Sequence, residues 1–489
     1  MLQKLTFFSI SYPKTVIVII LTLTLLFMSQ FPKIKIDTDP ENMLEPDQTD
    51  RIFYDEVKKR FGIHDLIVLG ITDEQSIFNP QTLKKIGKIA SEIVKIKGVI
   101  IEDVISFTTT DNVKSEGGIL EVRPIMSKIP NSSEEIEDLK REIYDNPLFV
   151  EKIVSMDGTG AAMYIPIQKK DMSYRISREI EEIVRRELDG GQKYYLAGLP
   201  VAEDTFGHEM FKQMGMTAPL TGLVIFVLML LLFRKISLII SPMIVAMFSV
   251  AWAMGLLIGM GFTVHIMSSM IPVFLMPIAV LDSVHILSEF YDRYPSLRDR
   301  KKTLMAVTDE LFTPMLYTSL TSAVGFASLT LARIPPVRVF GVFVALGIMA
   351  AWLLTVTLIP ASIMLIREEK LERILTKKAG KRSLLDKMLP PVGRFAFLSR
   401  RLVLVMGAIL LTLGVLGVSK VIINDNPVKW FKEGHKIRVA DTAMNRLFGG
   451  TYMAYLVAEG ETEGVIKKPE IIAYLDKLQK KLERNKIVG

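Results

Sequence analysis

Long runs without a single charge constrain this chain more than any other feature. Residues 15–32, 213–233, 311–332, 339–366 and 402–419 contain no Asp, Glu, Lys or Arg, and each is close to the ~20 residues that cross a hydrocarbon core as a helix. Residues 236–281 are interrupted only by His265, and as one helix they would measure about 69 Å, more than twice that core. That stretch has to fold back. Gly259, Gly261 and Thr263 place the turn, giving spans of about 236–259 and 265–289. The expectation is an α-helical integral membrane protein with seven spans.

Composition agrees, since 49% of the 489 residues are hydrophobic and only 23% are charged. The net charge of +7 raises nucleic acid as a partner, but the basic residues lie beside the spans in a sided pattern, which removes it. Arg234 and Lys235 join spans two and three, five Lys or Arg fall between Arg293 and Lys302, and eleven fall between Arg367 and Arg401. These loops share one side, and the positive-inside rule makes it the cytoplasm. The N-terminus is then inside, and 34–212 and 424–489 are extracytoplasmic. The first run ends in Ser29-Gln30-Phe31-Pro32 without a small-residue cleavage site, so it reads as an uncleaved helix. There is no cysteine, which excludes disulfides and thiolate chemistry. No phosphate loop, HExxH or Cys/His metal spacing occurs, so neither an enzyme, a cofactor nor a metal site is expected.

The sequence repeats itself. At an offset of 387, Phe8, Val16, Val18, Leu23, Leu26 and Lys33 meet identical residues at 395, 403, 405, 410, 413 and 420. Ile36, Pro40, Arg51, Phe61 and Gly62 meet Ile423, Pro427, Arg438, Phe448 and Gly449, making eleven identities in 55 positions, against about three or four expected by chance. A two-residue insertion brings Pro80 onto Pro469. The seventh span therefore reads as the first span of a second copy, with a full duplication needing on the order of 780 residues. The segments expected are 1–33 (terminus and span one), 34–212 (outer domain), 213–366 (five-helix bundle), 367–401 (basic linker), 402–423 (span seven) and 424–489 (start of the second outer domain).

Alternation and helical periodicity in the outer domain predict strands at 66–71, 99–107, 161–167 and 193–196, with helices at 80–96, 133–144 and 173–188. The domain is thus α+β. Ile176, Ile180, Ile183 and Val184 form one apolar helix face.

Asp282 is the informative residue. It falls inside span four, where an ionised carboxylate costs ~2.5 kcal/mol or more at the helix centre, so its presence points to use. His285 and Glu289 follow at i+3 and i+7, and the three line one stripe from mid-membrane towards the cytoplasm, as a proton path would. Ser283 lies beside it. Thr318, Ser319, Thr321 and Ser322 in span five offer hydroxyls that either bond the carboxylate or bond back to their own helix. Pro272 and Pro277 are expected to kink span four above Asp282, while Gly255 and Gly259 form a close-packing pair in span three.

One span, a large α+β domain, five clustered helices with an acid in the fourth, and a restart of the plan resemble the resistance-nodulation-division (RND) superfamily. The chain is most similar to its MMPL and hydrophobe/amphiphile efflux branch, related to hopanoid exporters. The motifs that carry this are AVLDSVHILSEF at 279–290, YTSLTSAVGF at 317–326, IPPVRVFGVFVALG at 334–347 and Gly198-Leu199-Pro200. The resemblance implies a porter domain with ferredoxin-like subdomains, a five-helix bundle that also resembles a sterol-sensing domain, and Asp282 as proton-relay carboxylate. It further implies proton-driven export of lipids or other amphiphiles from a cytoplasmic membrane. The second bundle would come from a missing C-terminal half or a second subunit. A non-transporting lipid sensor or assembly protein, an inactive fragment and a protein-translocation accessory are the rival readings.

Overall fold

A computed structural model describes residues 3–116, 119–233, 236–367, 369, 371, 384–421, 426–460, 462 and 464–484; positions 372–383 of the basic linker lie outside the described residues. The chain divides into two compact units, Met1–Ile36 with Lys212–Asp425, and Asp37–Phe211 with Asn426–Gly489.

The first unit is helical. Six described helices are long and apolar enough to cross a membrane: Pro13–Lys33, Leu199–Leu231, Ile239–Gly259, Ile266–Leu297, Pro335–Leu365 and Arg400–Val418. The fifth expected span forms as helix Arg300–Ala327 but is not among these six, because Thr318, Ser319, Thr321 and Ser322 dilute its apolar content. The fold-back falls where the glycines place it, with helix Ile236–Gly259 ending before Gly261 at φ +86°. Pro272 corrects an expectation. It sits in the first turn of helix Ile271–Leu297, where its missing N–H breaks no bond, so only Pro277 and Pro295 interrupt that helix.

Gly255 and Gly259 seat the first span against the third. A Cβ on Gly255 would lie 2.5 Å from the Phe27 carbonyl oxygen, and one on Gly259 would lie 3.1 Å from Gln30. The Trp252 indole donates to Thr24 Oγ1 at 2.9 Å and fixes the same pair of helices. Between lipid-facing helices, close backbone approach and polar links of this kind drive association. Gly255→Val is therefore expected to destabilise this unit by about 2–3 kcal/mol, read as a lower unfolding midpoint in detergent. Gly222→Ala is the control, since a Cβ there meets nothing closer than 3.9 Å; equal midpoints for the two variants would refute the packing argument.

The second unit is built on a three-stranded antiparallel sheet, with Asp65–Asp73 in the centre between Gly160–Ile167 and Gln192–Ala197. Alternate residues point to opposite faces. Ile67, Leu69 and Ile71, with Ala161, Met163, Ile165 and Ile167, face helices Pro80–Ile93 and Ser173–Glu187, which bring Leu83, Ile86, Ile176, Ile180 and Val184. Val68, Ala162 and Ala197 face the other way and are covered by helix Lys436–Leu447. Helix starts follow capping chemistry: Asn79 accepts from Thr82 N–H at 2.8 Å ahead of Pro80, and Ser132 and Glu135 form a reciprocal capping box for Ser133–Tyr144.

One expectation fails here, and two elements were not anticipated. The strand expected at 99–107 is reduced to isolated antiparallel bridges, Val99 to Ile167 and Ile105 to Tyr164. A 3-10 turn at Ile101–Asp103 separates them, where Glu102 and Asp103 are exposed. The hairpin Asp111–Glu116 with Ile119–Pro124 and helix Thr49–Phe61 carried too weak a periodicity to be anticipated.

The repeat is visible element by element. The 3-10 turns Pro40–Met43 and Pro427–Trp430 are capped by Asp39 and Asn426. Helices Thr49–Phe61 and Lys436–Leu447 follow at the same offset. Arg51 donates to the Leu44 carbonyl, and Arg438 to the Phe431 carbonyl. Divergence begins after Phe448, which is 3% exposed while Phe61 is 53% exposed. No strand forms at 452–460, the counterpart of 65–73, because the described residues offer it no neighbouring strand to pair with.

A buried ion cluster joins three segments of this unit. Lys170, 7% exposed, places Nζ 2.8 Å from Glu203 and from Glu41 and 3.5 Å from Asp39. Burial disfavours the ammonium, but the carboxylates outweigh it and raise the Lys170 pKa. Burial raises the Asp39 carboxyl despite Lys170. At Glu41 burial acts the same way, but the hydrogen bond and charge of Lys170 prevail and lower it.

Candidate functional site

The Asp282 helix and the Ser319 helix form a tight antiparallel hairpin. Helix Ile271–Leu297 stops where Arg298 adopts a left-handed conformation (φ 46°) and donates its N–H to the Tyr294 carbonyl. Asp299 then caps helix Arg300–Ala327 by accepting from Lys302 N–H at 3.0 Å. A two-residue connection leaves the helices little choice but to lie side by side. That packing places Ser319 against Asp282.

Asp282 is 8% exposed and its Oδ2 accepts a hydrogen bond from Ser319 Oγ at 2.8 Å. One residue on, Ser283 is fully buried and its hydroxyl lies 3.2 Å from Thr355 Oγ1 on helix Pro335–Leu365. Three helices thus converge here, with Ser319 engaging the carboxylate directly and the neighbouring Ser283–Thr355 contact tying the Asp282 helix to helix Pro335–Leu365.

The other residues of the pattern separate from this centre. Thr318 bonds back to Pro314 O, Thr321 to Tyr317 O and Ser322 to Thr318 O, each at 2.9 Å. His285 is exposed, three residues along the same helix from Asp282. Glu289 pairs with Arg293 at 2.5 Å, and Arg293 also pairs with Glu310. These charges mark the end of the helix near Arg298, not its middle. Thr355 was missed in the sequence because one hydroxyl in the run Leu353-Leu354-Thr355-Val356 carries no periodic signal.

The family model described as MMPL family matches residues 100–396, which contain the whole of this hairpin and most of the helical unit. The chain belongs to the MMPL family. A membrane protein of Methanocaldococcus jannaschii is 23% identical over 375 residues, covering 74% of this chain and 93% of the relative. Membership places the chain in the RND and MMPL superfamily of membrane proteins, a family that suggests transport of a hydrophobic substrate.

Proposed function

We propose that this MMPL protein exports lipids or other hydrophobic molecules from the cytoplasmic membrane and draws on the proton gradient through Asp282. The observation that carries the reading is a buried carboxylate midway along an apolar helix, engaged by one serine hydroxyl of the neighbouring helix. Retaining such a group without use is costly. Each inward proton supplies ~2.3 kcal/mol per 100 mV, enough after one or two to bias a domain between conformations.

On this reading helix Arg300–Ala327 is a further span, making seven, and the wet side of the relay runs from Asp282 past His285 towards Glu289. Ser319 holds the carboxylate, and Ser283, with Thr355, supports its helix. The outer domain is ferredoxin-like: its three strands have the order and senses of a split βαβ pair, with the 99–105 bridges standing in for the fourth strand. A second bundle, from a missing half or a second subunit, covers the Asp282 face.

Reconstituted with lipid substrate and a pH-sensitive dye, the assembled protein is expected to move protons only when substrate is present. Substrate binding with no proton movement would favour the sensor reading. Topology has its own check, made convenient by the absence of native cysteine. Cysteines at Ser132 and Thr462 are expected to react with an impermeant thiol reagent in intact cells and one at Ser383 to be protected; labelling at Ser383 would reverse the orientation.

A further inference from the structure

Lys170 does not balance the charges around it. Asp39, Glu41 and Glu203 all lie within 3.5 Å of its Nζ, and Lys58, 3.9 Å from Glu41, is already bonded to Asp65 at 2.9 Å. Asp204, beside Glu203, adds another buried carboxylate. Of the other ionisable groups that face these residues, Arg51 and a protonated His208 are positive, Asp37 and Asp171 negative, and Tyr54 and Tyr452 neutral across the physiological range. Fully ionised, the cluster therefore holds surplus negative charge away from water, which is unfavourable. Taking up one proton relieves it.

The cluster stands where the chain passes from one unit to the other. Crossings fall at 36–37, 211–212 and 425–426. Asp39 and Glu41 belong to the strap 37–43 that follows the first crossing, and Glu203 and Asp204 to helix Leu199–Phe233, which runs on through the second. Strap and helix touch: a Cβ on Gly207 would fall 2.5 Å from Thr38, and Asp204 accepts from Thr38 Oγ1 at 2.8 Å and from Tyr174 N–H at 2.7 Å. The turn itself does not need these acids. In the second copy of the repeat, the 3-10 turn Pro427–Trp430 has Asn426 and Val428 in the places of Asp39 and Glu41, and Val428 is buried. An amide and an alkyl group suffice for the same local fold, so the carboxylates of the first copy ask for another explanation.

We propose that Asp39, Glu41, Glu203 and Lys170 form a proton-set clasp that fastens strap 37–43 to the start of helix Leu199–Phe233, closed when the carboxylates share a proton and released when all are ionised. The sign follows from linkage. Burial raises the Asp39 carboxyl, and a group raised in the folded state contributes stability below its unfolded pKa, about 4, and loses it as pH rises through the folded one. Glu41, which Lys170 lowers, stays charged above about pH 5 and does not cancel the effect. Acid therefore closes the clasp and alkali opens it. On the topology proposed above it reads the pH outside the membrane, and it acts separately from Asp282.

The test is backbone hydrogen exchange of the full chain in detergent, where both sides share one pH, with rates corrected for their intrinsic pH dependence. The amides of Asp39, Glu41 and Asn42 are bonded within the strap and report its hold. Their protection is expected to fall at least about tenfold between about pH 5 and about pH 8. Protection of the central strand 65–73 should stay far higher at both, which separates release of the strap from unfolding of the unit. Glu203→Gln removes the surplus charge and should keep the strap at its acid level of protection throughout. Asp39→Asn, which matches Asn426 of the second copy and can still cap Glu41 N–H, should do the same and serves if the first variant fails to fold. His208→Gln and Asp282→Asn should both retain the wild-type profile. A flat wild-type profile, one that survives Glu203→Gln or Asp39→Asn, or one lost with His208→Gln or Asp282→Asn would overturn the proposal.

Discussion

Asp282→Asn is expected to abolish substrate-linked proton movement and to slow export by at least about a hundredfold, the usual worth of a positioned proton-transfer group, while the protein still inserts and folds. Asn keeps the volume of Asp and an oxygen to accept from Ser319 Oγ, but cannot gain or lose a proton. Folding and coupling therefore come apart in one variant. Ser319→Ala should slow export about tenfold, since it removes one hydrogen bond to the charged form without removing the titrating group. His285→Gln should matter less than either, because the imidazole is exposed and water can take its place. Wild-type export by correctly inserted Asp282→Asn protein would remove the proton-relay assignment. A variant that fails to insert is distinguished by its detergent unfolding profile, so a null transport result is interpretable.

Lys170→Met is expected to cost the second unit about 3–5 kcal/mol at neutral pH, the usual consequence of stranding buried charges by deleting their partner. Glu203, Glu41 and Asp39 would be left facing one another at a site where Lys170 now lies within 3.5 Å of each. The loss should depend on pH, and its sign follows from linkage. Without the ammonium, the carboxylates are pushed above their unfolded pKa values, as burial already does to Asp39. A group raised in the folded state contributes stability below its unfolded pKa and loses it as pH rises through the folded one. The deficit of the variant should therefore shrink towards about pH 4 and be largest near pH 7–8. Hydrogen exchange of the central strand 65–73 in full-length protein measures it. A deficit under about 1 kcal/mol, or one that is the same at both ends of that range, would mean that the cluster contributes as a solvated pair would.

Much of this protein was legible in order along the chain. Charge-free length defined the apolar helices, because a bilayer core rewards nothing else. Gly259 and Gly261 marked the fold-back, because a turn is satisfied by residues close in sequence. The offset of 387 pairs positions 40–61 with the turn and helix at Pro427–Trp430 and Lys436–Leu447, although neither helix was anticipated. Asp282 also stood out alone, since a carboxylate in an apolar helix is conspicuous without any neighbour being known.

Its surroundings were another matter. Four hydroxyls in the run 318–322 were equivalent in sequence, and only the rotation of helix 300–327 in its hairpin gave Ser319 to the carboxylate and returned the other three to their own backbone. Thr355 reaches Ser283 across 72 positions, and Lys170 gathers carboxylates more than 30 residues away on either side. The segment 99–105 reads as a strand by its isoleucines and valines, but a strand needs an uninterrupted neighbour, and the turn at Ile101–Asp103 leaves it two bridges. Helices 49–61 and 436–447 carry matching stripes, yet one is buried and the other bare. Sequence determines which residues are apolar, where helices begin and end and which carboxylate is out of place, because those depend on local backbone chemistry and on transfer from water. Contact partners depend on which surfaces meet, and tertiary structure decides that.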